Sequence, residues 1–478
     1  MNSIKENFIY NLIYQILLII LPLITTPYIS RVLGSEGVGT YTYTYTVANY
    51  FMLAAMLGVK NYGNRSVAAI RDDKQSLSKT FWEIYGLQFL CSAIALGAYF
   101  FYVLLFEREY RVIALIQGIY VFSGLLDVSW LFFGTERFKT TVMRNIAIRL
   151  INLVCVFVFV RTRADLWKYT LIMTIGTACS QGYLWFYVKK IVGWYLPKIE
   201  KKKKHLIPEL VLFIPIIAVS LYTMMDKVML GQMSTMTQVG YYEGAGKILN
   251  IPMGVITALG TVMLPRMSNL AAKGKTRESG QYIYNSMIFA MFLASGMMFG
   301  IAGIAEDFVP LFLGREYSSC ILLIRTMAPT VPFIAWANVI RTQYLIPNHE
   351  DKSYIISVTL GAAVNLAVNT LLIPHIHALG AVIGTVFAEG SVCISQTIMV
   401  RKKIEVCRYI KDTAMYFIFG GIMLLLIHMI HNYFSNLFIA LVIEIFIGGT
   451  VYTAMSAIYF GLSHWETVKM VTKKLRKK

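Results

Sequence analysis

Charged residues inside apolar runs are the first places to look for chemistry, because a charge at the centre of a lipid-crossing segment costs roughly 2.5–3.5 kcal/mol on insertion scales and persists beside a partner or a wet cavity. Arg149 stands in such a run, with Asn145 four residues before it and Asn152 three after, all on one helical face. A guanidinium there suits a phosphate-like anion, since its planar fork donates two parallel hydrogen bonds and stays charged; the alternative is a structural pair with Asp127. Arg65, Arg266 and Arg341 each lie at the end of an apolar run, where they could collect an anionic group or simply anchor the chain at a surface. Asp226, Lys227, Glu243 and Lys247 form a compact charged group, with Glu243 and Lys247 spaced i,i+4 in the favourable order and Arg325 as a further member. Such a group could be an ion-paired gate or a purely structural network. Glu389 and Asp127 are candidates for binding a coupling proton or sodium ion, Glu444 is a weaker one, and an interhelical hydrogen bond from a protonated carboxyl is the alternative. The run Thr40-Tyr-Thr-Tyr-Thr-Tyr-Thr46 could stack and hydrogen-bond sugars, or belong to an interfacial aromatic belt.

These residues need elements to hold them, and the composition says which. Hydrophobic residues make up 57% of the 478, and only 14% are charged, far more apolar side chain than a soluble core could bury. The apolar runs are roughly 20 residues long, which fits transmembrane helices and not the ten-residue alternating segments of a barrel. Fourteen runs are expected, near 8–30, 41–60, 81–106, 112–133, 142–160, 168–188, 209–231, 241–265, 282–304, 318–340, 354–373, 378–400, 412–430 and 436–460. The first shows no small-residue cleavage site and is expected to be retained. Of 44 Lys and Arg, about 33 fall in the termini and alternate loops, which places both termini in the cytoplasm and explains the net charge of +19 without nucleic acid. The basic run of Lys198 with Lys201 to Lys204 is expected to lie at an anionic leaflet. Six scattered cysteines show no metal-ligand spacing, and neither a metal nor a cofactor is expected.

The chain also repeats. A shift of 201 residues carries Val38-Gly39 onto Val239-Gly240 and Asn64-Arg65 onto Pro265-Arg266. The fold expected is all-α and polytopic: a six-helix lobe at 1–195, a basic cytoplasmic linker at 196–208, a second six-helix lobe at 209–403, and two further helices with a basic tail at 404–478. Lobes with even helix counts share an orientation, so a pseudo-twofold along the membrane normal and a cavity between lobes are expected, as in transporters.

Several blocks carry a family resemblance. Tyr28-Ile-Ser-Arg-Val-Leu-Gly-Ser-Glu-Gly-Val-Gly39, Asp127-Val-Ser-Trp-Leu-Phe-Phe-Gly-Thr-Glu-Arg-Phe-Lys139, Met225-Asp-Lys-Val-Met-Leu-Gly231 and Gly240-Tyr-Tyr-Glu-Gly-Ala-Gly-Lys247 through Met263-Leu-Pro-Arg-Met267 resemble the oligosaccharide-unit flippases of polysaccharide biosynthesis. Gly244 and Gly246 stand where a larger polar residue would be expected. The resemblance implies a member of the exporter superfamily that also holds lipid II flippases and multidrug exporters. Its implied cargo is an undecaprenyl-diphosphate-linked oligosaccharide moved from the cytoplasmic to the outer leaflet of a bacterial plasma membrane, for capsule or O-antigen assembly. Implied partners are membrane lipids, a polysaccharide polymerase and glycosyltransferases, with proton or sodium coupling. A lipid II flippase and a multidrug exporter are the rivals, though the arginines favour an anion over cationic drugs. A membrane glycosyltransferase or polymerase is less well supported, because no Ser/His/Asp set or phosphate-cradling glycine loop appears and the outer loops are short.

Overall fold

The computed structural model describes residues 4–196, 199–431, 433–434 and 436–463. Every regular element among them is a helix: α1 Ile4–Met56, α2 Val59–Ala68, α3 Lys74–Leu105, α4 Arg111–Leu126, α5 Ser129–Gly134, α6 Phe138–Phe159, α7 Leu166–Ile191, α8 Ile199–Met233, α9 Met236–Ala272, α10 Thr276–Phe312, α11 Cys320–Met327, α12 Thr330–Ile340, α13 Asp351–Val400, α14 Val406–His431 and α15 Leu437–Ser463. Each hydrophobic run falls on helix. The first two share α1, whose continuity is interrupted at Gly34, where φ of 71° is open to glycine at little cost. The eleventh and twelfth share α13, interrupted at Ile376 and His377. Among the described residues eight helices are long and apolar enough to cross a membrane, or nine if the α9 pair bent by 51° counts as one span. Large apolar side chains such as Phe101 and Phe446 stand 63% and 73% exposed on these helices, as lipid-facing residues do.

The chain divides into two compact units, Met1–Gly240 and Tyr241–Lys478. Helix α8 therefore lies with the first unit, against α1, α2 and α3, although it carries the seventh run, assigned to the second lobe on sequence. In the first unit α1 packs on α3, α4 and α6, α4 on α7, and α2 on α5. Trp130, Phe81, Ile84 and Leu131 form its main core, with Gly63 of α2 flat against the Trp130 ring. Gly39 and Gly240, equated by the sequence repeat, meet within this unit: a Cβ on Gly39 would overlap the Met236 carbonyl, and one on Gly240 the Ser35 carbonyl. In the second unit α10 is the central helix, packed on α11, α12, α14 and α15.

Candidate functional site

The fourth hydrophobic run is not one helix. It breaks between α4 and α5 at Asp127-Val128, inside the block that carried the family resemblance. A break at membrane depth leaves carbonyls without helical partners, which is tolerable only where protein side chains satisfy them. Here they do. Gln88 of α3 donates to the carbonyls of Gly124 and Asp127, both at 2.8 Å, and accepts from Trp130 Nε1 at 3.0 Å. Tyr85 donates to Leu125 O and Trp185 of α7 to Leu126 O. Asp127 itself is fully buried; one oxygen accepts from the Ser129 amide at 3.0 Å and the other lies 3.4 Å from Lys60 Nζ. Lys60 reaches it from α2, a short helix begun by Gly58 with φ of 81°, inside the last residues of the second run. Arg65 sits exposed on that same helix, one turn and a half beyond Lys60, rather than on a spanning segment.

On α6 the structure separates two arginines that look alike in sequence. Arg144 is buried: its guanidinium donates to Ser180 O at 2.9 Å, to Gln181 Oε1 at 3.1 Å and to Asn145 Oδ1 at 2.8 Å, fastening α6 to α7. Arg149, a turn and a half further on, is exposed. Asn145 is thus engaged by Arg144, and Asn152 packs on Gly176 of α7. Arg144 was not singled out by sequence, because an arginine near the start of a span reads as ordinary cytoplasmic anchoring. Glu83 was also missed. It is buried on α3 and accepts from Lys204 Nζ at 2.9 Å and His205 Nε2 at 3.2 Å, the other ring nitrogen of His205 lying 2.7 Å from Tyr62 Oη. The basic run before the seventh span is anchored to protein through Lys204 and His205; Lys198 and the side chains of Lys201 to Lys203 lie outside the described residues. Burial pulls the His205 pKa below its ordinary value.

The charged group expected on α8 and α9 is placed in two parts. Asp226 is buried in the first unit close to Tyr50 of α1, with Lys227 half-buried beside it. Glu243 and Lys247 belong to the second unit and pair at 3.6 Å along α9. Arg325 on α11 bonds Glu306 of α10 at 2.9 Å and the Ala302 carbonyl at 3.1 Å. A Cβ on Gly244 would stand 3.1–3.3 Å from Leu313 and the Tyr317 ring, so a side chain there would need these neighbours to give way, whereas Gly246 has open space. Arg266 stacks on Tyr282 at 4.2 Å and donates to its hydroxyl. Arg341 opens a π-helical turn, Arg341–Leu345, donates to Asn338 Oδ1 at 2.8 Å and lies 5.8 Å from the Tyr354 ring; such turns recur at functional positions. Glu389 is half-buried on α13. In the Thr/Tyr run, Thr40, Thr44 and Thr46 are buried and donate to backbone carbonyls four residues earlier, while Tyr41 and Tyr45 extend a ring ladder to Tyr169 and Tyr120.

Known proteins agree with this architecture. Residues 4–271 match the family described as polysaccharide biosynthesis protein, and the chain belongs to that family. A protein of Escherichia coli (strain K12), named as a candidate O-antigen transporter, is 24% identical over 413 residues, covering 85% of this chain and 99% of that one. Among solved structures, the lipid II flippase MurJ in an inward closed conformation superimposes with a TM-score of 0.76 at 15% identity, over 95% of this chain and 99% of MurJ. An inward-facing multidrug resistance MATE family transporter of the MOP superfamily gives 0.63 at 14% identity, over 84% and 99%. The fold is that of a multi-pass membrane transporter.

Proposed function

We propose that this protein is a flippase that carries an undecaprenyl-diphosphate-linked oligosaccharide from the cytoplasmic to the outer leaflet of a bacterial plasma membrane by alternating access, supplying capsule, exopolysaccharide or O-antigen assembly. The observation that carries this reading is the match through nearly the full length of a relative named as a candidate O-antigen transporter, within the polysaccharide biosynthesis family. The charge pattern supports it. A diphosphate entering a low-dielectric path needs compensating cations. Arg149 is exposed on α6, Arg65 on α2 and Arg266 on α9, each presenting a cation outside the packed cores, and Arg341, half-buried, opens a π turn. Arg144 acts differently in this scheme, holding α6 against α7 so that Arg149 keeps its place. Glu389 is the coupling-ion candidate; Asp127 is less suited, because Lys60 already faces it.

The test is a deletion strain. Its lipid-linked repeat unit should accumulate in the cytoplasmic leaflet and its surface polysaccharide disappear, while cell-wall synthesis continues. Arrest of cell-wall synthesis with lipid II held inside would instead identify a lipid II flippase and overturn the proposal.

A further inference from the structure

The second unit holds a cluster of ionisable groups that the transport reading does not use. Helices α10, α14 and α15 pack closely, with Gly303 and Gly448 in contact with Ile427 and Gly420 against Phe299. That proximity brings together three residues far apart in sequence. Asp307 of α10 and Glu444 of α15 are each 1% exposed, and His431 ends α14 between them. His431 Nδ1 lies 3.1 Å from Asp307 Oδ2 and 3.7 Å from Glu444 Oε1. The three ligand-type atoms lie within 4.8 Å of one another. On the opposite edge of the ring, His431 Nε2 is 3.4 Å from Glu306 Oε2, and Glu306 is held in turn by Arg325 at 2.9 Å.

Two features point to a ligand rather than to a self-contained ion-pair network. Both Glu444 carboxylate oxygens are buried and neither is held by a lysine, arginine, hydroxyl or amide; the groups that approach them are the Asp307 carboxyl and the His431 ring, a costly arrangement for a carboxylate at that depth. With all three carboxylates ionised the charge does not balance either, since they face Arg325 and one imidazole. We infer that Asp307, His431 and Glu444 bind a divalent transition-metal ion of the zinc or manganese class, pinning α14 and α15 to α10. Ligand atoms around a tetrahedral ion with bonds near 2.0–2.1 Å stand about 3.3 Å apart, and the spacings of 3.1 and 3.7 Å bracket that value. One imidazole nitrogen with two carboxylates suits such ions better than sodium, which prefers oxygen alone. Binding displaces the proton from Nδ1 and leaves Nε2–H on Glu306, the carboxylate–histidine–metal arrangement that fixes ring orientation. Glu306 is therefore a positioning residue.

The experiment uses the tag-free, full-length protein in detergent, stripped with chelator and then offered Zn2+ or Mn2+ alone. One equivalent should remain after gel filtration by elemental analysis, and the unfolding temperature should rise by several degrees. His431→Ala should lose both signals. Glu444→Gln, which keeps the shape, should weaken retention at least tenfold, and Glu306→Gln should weaken affinity by about 10- to 100-fold. Wild-type protein that elutes monodisperse with metal at background overturns the site. So does equal retention by Glu444→Gln, or an unfolding temperature that answers only to sodium or to pH.

Discussion

Two buried carboxylates of the first unit and the acid cluster of the second are handled differently. In the first, Asp127 faces Lys60, and Glu83 faces Lys204 with His205, so each of these two acids has a cation from the chain, whereas both oxygens of Glu209 on α8 are buried without a hydrogen-bond partner. In the second, Glu306, Asp307 and Glu444 share Arg325 and one histidine. A carboxylate taken out of water must be paired, protonated or bound to an ion. At Asp127 and Glu83 the first unit solves this with its own side chains, and at Asp127 it gains a fixed joint at the break in the fourth span. The second leaves room for something that the chain does not supply.

The comparison is broken most strongly at Lys60. Lys60→Ala strands Asp127, and removing one partner of a wholly buried pair costs roughly 3–5 kcal/mol. With the lysine side chain 58% exposed, about 2 kcal/mol is expected, read as unfolding temperature in detergent. Adding Asp127→Asn to that variant should recover most of the loss. Neutralisation should have the opposite sign in the second unit: with metal removed, Glu444→Gln should be as stable as the parent or gain about 1 kcal/mol, because a buried carboxylate with no cation closer than the His431 ring is neutralised. A loss of stability there would mean that Asp307 and His431 already satisfy Glu444 without an ion. Smallest is the effect of pH at the α2, α3 and α8 junction. Burial holds His205 below the ordinary imidazole value of about 6.5, so the unfolded chain binds more protons. Its contribution is present above that value and is lost as pH falls through it. His205→Gln should flatten this part of the pH profile by a fraction of a kcal/mol.

How much of this could be read from the sequence follows from what lipid imposes. Apolar runs of spanning length are forced on a chain that crosses a membrane, so every run appeared as helix. The membrane transporter class was legible for the same reason, and the family from blocks such as Asp127 to Lys139. Helix ends were less so. Nothing in the pattern marks Gly58 as the end of one helix and the start of another, or the break at Asp127-Val128, because the residues that make the break tolerable, Gln88, Tyr85 and Trp185, come from other helices. Arg144 and Arg149 illustrate the same limit. Burial depends on what α7 places opposite, and Ser180 with Gln181 is visible only once α6 and α7 are packed. The acid and histidine group at 307, 431 and 444 has no local signature at all, since its members are joined only by the close approach of α10, α14 and α15.

Arg149 offers the most direct test of the central claim, that this protein moves a diphosphate-linked sugar. A guanidinium holds a diphosphate through two parallel hydrogen bonds, which an ammonium cannot reproduce. The measurement is translocation of undecaprenyl-diphosphate-linked oligosaccharide in proteoliposomes, read as the fraction of sugar accessible from outside, with reconstituted protein matched across variants. The account predicts robust translocation by the wild type, near-background transfer by Arg149→Ala, and partial activity in Arg149→Lys. Wild-type protein that leaves this lipid in place would contradict the account, and full activity in Arg149→Ala would remove the residue from the path.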